Sequence, residues 1–64
     1  MKIWTAFIEK DKVKYFICQG KNTEILGIAA RKIADLELSS KFVQEIQYEK
    51  MEVPWDMKNI EELT

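Results

Sequence analysis

The sequence predicts an α+β fold: a small two-layer sandwich in the order β-β-α-β, with an antiparallel three-stranded sheet, one packed helix and a short C-terminal helix. Three observations predict it. Two runs rich in aromatic and β-branched residues, 2–9 (KIWTAFIE) and 13–19 (VKYFICQ), flank a short polar stretch at 10–12. Residues 23–38 (TEILGIAARKIADLEL) then repeat apolar side chains every three or four positions. Residues 41–53 (KFVQEIQYEKMEV) read as a further strand, and Pro54 stops it because proline cannot donate a ladder hydrogen bond. At 64 residues the chain makes one domain, 1–64.

The first two strands must be antiparallel neighbours, since so short a loop allows nothing else. The loop Lys10-Asp11-Lys12 lacks the Asn-Gly pair that identifies the commonest hairpin turn, so its type stays open. A two-residue loop sets Glu9 across from Lys12 or Lys14. It groups Ile3, Thr5 and Phe7 with Phe16 and Cys18 on one face. It groups Trp4, Ala6 and Ile8 with Val13, Tyr15 and Ile17 on the other. Both faces are apolar, whereas a half-solvated antiparallel sheet alternates apolar and polar residues. Each face therefore needs a cover.

Asn22 or Thr23 is expected to cap the helix that follows. Its apolar stripe is Leu26, Ala29, Ala30, Ile33 and Leu36, with the two alanines allowing close approach to the sheet. Gly27 in its interior costs roughly 1 kcal/mol relative to alanine, and close packing is the expected reason. The segment 41–53 has Phe42, Ile46 and Tyr48 on one parity and Val43, Met51 and Val53 on the other. As a strand it needs a bulge or break near Glu49-Lys50. A second helix is the alternative, and strand is preferred because a two-stranded sheet is too narrow to be stable. Asp56 is placed to cap a short helix over 57–63. The first strand is expected in the centre of the sheet, with the main helix on one face. The other face is left to the C-terminal segment, a second copy of the chain or a partner, and a symmetric dimer is the expectation there.

Composition limits the chemistry. The chain has no histidine, one cysteine, two glycines and one proline, which leaves out a triad, a histidine-based metal site, a glycine-rich phosphate loop or a disulfide framework. Cys18 lies among apolar strand neighbours and reads as a small hydrophobe. Catalytic, cofactor-binding and metal-binding residues are all expected to be absent. No apolar run reaches the roughly 18 residues a membrane span needs, and the first residues lack signal-peptide anatomy. With a lone cysteine, these features lead to the expectation of a cytoplasmic protein.

The net charge of −1 is unevenly spread. Residues 1–22 carry +3, residues 23–41 balance, and residues 42–64 carry −4. Two functional readings follow. The first is a small non-enzymatic protein-binding protein, adaptor-like or inhibitor-like and capable of homodimerising. Its contacts centre on Trp4, Tyr15, Trp55 and Met57, since tryptophan is a favoured interface anchor. The second is a nucleic-acid binder using Lys10, Lys12 and Lys14 at the hairpin tip, near Tyr15 and Phe16. Against it stand a single arginine and a slightly acidic whole. The Ile/Lys/Glu-rich texture is similar to that of small proteins of AT-rich bacteria, their phages and mobile elements. It covers no motif and names no family.

Overall fold

A computed structural model describes residues 2–54 and 56–63. The elements in chain order are β1 (Ile3–Lys10), β2 (Val13–Gly20), α1 (Ile25–Asp35), α2 (Lys41–Glu45), β3 (Gln47–Met51), β4 (Lys58–Asn59) and a 3-10 helix (Ile60–Leu63). The class is α+β, and the sheet has four strands rather than three. Its order is β3-β1-β2-β4, so β1 is interior as the sequence suggests. β1 pairs antiparallel with β2 and β3, while the added β4 pairs parallel with β2.

The hairpin loop is Asp11-Lys12, with φ of 53° and 66°. Positive φ at both central residues defines a type I′ turn, whose twist matches that of the flanking strands. Glu9 faces Lys14 as a cross-strand charge pair. The register then shifts between Ala6 and Phe7: Phe7 pairs with Phe16, but Ala6 pairs with Cys18. Ile17 is the extra residue of a β-bulge. The bulge corrects the face expected for Cys18, which joins Ala6 and packs against the main core. The Ile17 carbonyl at this irregularity accepts a hydrogen bond from Lys32 Nζ at 3.0 Å.

α1 begins one or two residues later than expected. Glu24 holds the N-cap position without a side-chain hydrogen bond, so neither Asn22 nor Thr23 caps it. Its buried residues are Ile25, Ala29 and Ile33. The helix is thus rotated from the expected stripe, and Leu26 is left 58% exposed. Gly27 is not explained by close packing, because a Cβ built there meets nothing within 4 Å. The helix stops in a Schellman motif: Leu38 N–H donates to the Ile33 carbonyl at 3.1 Å and Glu37 N–H to the Ala34 carbonyl at 3.0 Å. Glu37 takes the left-handed conformation this requires, with φ of 58°.

Residues 41–53 hold both expected structures in succession. α2 occupies the first five residues, and Ile46 turns extended to start β3. The change from helix to strand reconciles the two apolar parities, and β3 pairs with β1 in unbroken register without a bulge at Glu49-Lys50. In place of a helix over 57–63 the chain forms β4 and one 3-10 turn. Ile60 enters the core with Ala6, Ile8, Ile17, Ile25, Ala29 and Ile33. Burying each isoleucine contributes about 1.5–3 kcal/mol.

The second face of the sheet is crossed by the chain itself. β3 and β4 lie at opposite edges, so their connection must traverse the sheet. Val53, Pro54, Asp56 and Met57 adjoin Lys14 of β2 and Met51 of β3 around a hollow of about 120 Å³. Gln19 Nε2 donates to Thr5 Oγ1 at 2.9 Å and to the Glu52 carbonyl at 3.5 Å. Thr5 and Phe7 are buried on this face within a single chain.

Candidate functional site

A concavity lies at the end of the sheet where β1 starts, β2 ends and the turn into α1 begins. It is an open groove of about 620 Å³. Its floor is Trp4 in β1, paired with Gly20 of β2 on one side and Lys50 of β3 on the other. Gly20 makes the groove possible. A Cβ there meets nothing within 4 Å, so the strand opposite Trp4 contributes backbone and open space. Ile3 supplies further apolar wall, and Asn22 and Thr23 line the side toward α1.

The groove is cationic. Lys2, Lys21 and Lys50 line it, and no carboxylate does among the described residues. Lys50 Nζ sits 5.5 Å from the centre of the Trp4 ring, a cation–π contact. A smaller cleft of about 200 Å³ adjoins the groove, sharing Trp4 and Asn22 and completed by Ile25, Leu26 and Tyr48. Together the two form an apolar floor with basic groups at one end.

Beneath this cleft, Tyr48 and Cys18 flank Ala6 across the sheet, each paired with it. The alanine methyl leaves room between them. The Tyr48 hydroxyl is buried and has no hydrogen-bond partner among the described residues. Burial, and secondarily Cys18, pushes the phenol pKa above its ordinary 10.0. Burial also raises the Cys18 thiol above 9.0, partly offset by Lys32. A thiol pushed in this direction stays protonated near neutral pH and is a poor nucleophile. No cluster of three or more metal-ligating groups occurs among the described residues. Among them also, no helix is long and apolar enough to cross a membrane.

The residues singled out from the sequence do not converge. Trp4 is at the groove. Tyr15 shares its sheet face but sits toward the hairpin end, against the core and paired with Lys58. Met57 lies over the opposite face. Trp55 lies outside the described residues. The three hairpin lysines also separate. Lys10 Nζ lies 5.4 Å from the Phe42 ring on one face and Lys14 Nζ 5.3 Å from the Phe7 ring on the other. Lys12 occupies the turn itself. They do not form one track for a phosphate backbone. Sequence reasoning missed the basic set Lys2, Lys21 and Lys50. The +3 charge of residues 1–22 signals the first two, whereas Lys50 is hidden in the acidic part of the chain. Comparison with protein-family models, curated proteins and solved structures gives no match to this chain.

Proposed function

We propose that this protein is a non-catalytic binding module that holds an acidic segment of a partner protein in the Trp4 groove. One observation carries the reading: a tryptophan floor with three lysines and no carboxylate among the described lining residues. The exposed Leu26 beside it offers apolar surface for an anchoring side chain. An aromatic anchor in a desolvated centre with charges at the rim is the usual anatomy of a hot spot. The lysines would steer an acidic partner and fix its orientation. The lack of any histidine supports a binding role over catalysis.

The reading is tested with a phage-displayed peptide library and three variants. Gly20→Leu fills the groove from a position where side-chain space is open. Trp4→Ala removes the floor, and Lys50→Glu reverses one charge. The selected peptides are expected to be acidic with one large apolar residue. Trp4→Ala should cost about 2 kcal/mol or more, roughly thirtyfold in affinity. Gly20→Leu should block binding while leaving the folded spectrum unchanged. Peptides without acidic residues, or peptides that bind Gly20→Leu as well as the parent, would refute the reading. A thymidine oligonucleotide provides the nucleic-acid arm. If it binds with a steep salt dependence and the peptides do not, the lysines serve phosphates instead. A second copy of the chain is the remaining competitor, and a concentration-dependent doubling of mass abolished by Gly20→Leu would assign the groove to it.

A further inference from the structure

The open edge of β3 borders this site. β3 is the terminal strand of the sheet, so its outer side has no strand partner among the described residues. Its five residues run in unbroken register with β1 and include no proline or glycine. Edge strands of this kind are usually blunted by a bulge, a proline or a lysine projecting over the edge. Here the lysine does not project outward, because the Lys50 ammonium is drawn inward over Trp4 at 5.5 Å.

We propose that the partner segment docks as a fifth strand on the outer edge of β3, its side chains chosen by Lys50, Glu49 and Tyr48. The proposal rests on the reading of the groove as a site for an acidic segment: one flank of the segment lies in the groove and the rest continues past Lys50 along the β3 edge, which adds the backbone mode and the sequence it selects. Opposed residues on antiparallel strands share a face. The incoming residue across from Lys50 is therefore acidic. The one across from Tyr48, two positions on, is apolar and reaches the cleft between Tyr48 and Leu26. The residue between them faces Glu49 on the other side and is basic. The pattern is acidic-basic-apolar over three consecutive residues.

The same charges disfavour a second copy in this position. A two-fold antiparallel pair has one register that engages all five residues of β3. It sets Gln47 opposite Met51, Tyr48 opposite Lys50, and Glu49 opposite the Glu49 of the other chain. Like charges directly opposite destabilise a pair. Shifting by one step in either direction leaves only three residues of the strand paired, and one of the two shifts also sets Lys50 opposite Lys50. A strand of complementary sequence meets neither obstacle.

The probe is a peptide about ten residues long, with Glu-Lys-Leu at its centre and threonine and valine flanks. It is compared with a scrambled control and with versions N-methylated at single backbone positions. Hydrogen exchange of residues 47–51 is followed with and without peptide. The expected result is binding that slows exchange of the outward β3 amides by about tenfold or more. N-methylation at alternate positions should weaken binding by a similar factor, since only every second amide faces β3. Lys50→Glu should reject Glu-Lys-Leu and accept Lys-Lys-Leu, a swap that a merely misfolded variant does not produce. Binding that Gly20→Leu abolishes but that leaves β3 exchange unchanged overturns strand addition and keeps the groove. Equal binding of every N-methylated version does the same. Self-association that protects 47–51 gives the edge to a second copy and overturns the proposal. If neither this peptide nor the library peptides bind, both readings fail together.

Discussion

The unpaired hydroxyl of Tyr48 gives the most direct test of how this fold is held together. It is buried, and no described residue bonds to it. Leaving such a group unsatisfied costs about 1–3 kcal/mol in desolvation. Tyr48→Phe keeps the ring, which packs against the core, and removes only the oxygen. No hydrogen bond is lost, and the space vacated is smaller than a methyl group. The net expectation is a gain of about 1 kcal/mol, the low end of the desolvation range. In a domain this small that raises Tm by about 4–8 °C. Urea unfolding near neutral pH, analysed with an unchanged m value, measures it. A loss of about 0.5 kcal/mol or more would show that the hydroxyl is satisfied after all, and would refute the argument. A second consequence follows in alkali. The folded phenol pKa is raised above 10.0, so the folded state holds this proton more tightly than the unfolded state. The associated stability is complete below that value and is lost as pH rises through the folded pKa. Cys18 behaves in the same direction from 9.0 upward. Stability of the parent should therefore fall in alkali, less steeply in Tyr48→Phe, and least when Cys18→Ala is added.

Three further substitutions probe the backbone. Lys12→Gly should stabilise by about 1 kcal/mol, because a non-glycine residue at positive φ is strained and this one sits at 66°; urea midpoints report it, and no gain would argue against the type I′ turn. Gly27→Ala should stabilise by about 0.5–1 kcal/mol, since the position is helical, exposed and open to a Cβ; a loss would mean that something approaches this turn closely. Lys32→Met should cost about 1–3 kcal/mol by leaving the Ile17 carbonyl short of its donor. Raised salt should not abolish the Lys32 effect, as it would if the pair with Glu61, at 3.7 Å and exposed, were the main contribution.

The two-strand hairpin, the central place of β1 and the helix after β2 were legible because each follows from local pattern. The apolar runs and the three-to-four spacing survive in the folded chain, and the polar gap does so shortened to Asp11-Lys12. What was not legible depends on residues in unusual roles. A turn that favours Asn-Gly is made by Asp11-Lys12, and a helix stop that favours glycine is made by Glu37. The bulge at Ile17 carries no residue signature, yet it decides which face receives Cys18. β4 was missed because two residues are too few to show alternation. Its partner β2 lies over forty positions earlier in the chain.

The candidate site was less legible for a related reason: it is assembled from what the core leaves behind. α1 carries apolar residues on more than one side, with Ile25, Leu26, Ile28 and Ala29 in its first turns. Only one stripe can face the sheet. The Ile25–Ala29–Ile33 stripe is the one buried, which turns Leu26 outward beside Trp4. From the sequence the two stripes are nearly equivalent, and the choice between them is made by tertiary packing. Gly20 reads as a strand terminator, while its effect on the surface is to keep the space opposite Trp4 empty. Lys2, Lys21 and Lys50 come from three separate stretches, so no local charge run announces them. The strand pairing of Trp4 with both Gly20 and Lys50 brings floor, opening and charge together. A single register slip in β1 would turn Trp4 to the other face and dissolve the groove. The hairpin turn and the bulge that fix this register are therefore as much a part of the site as the side chains that line it.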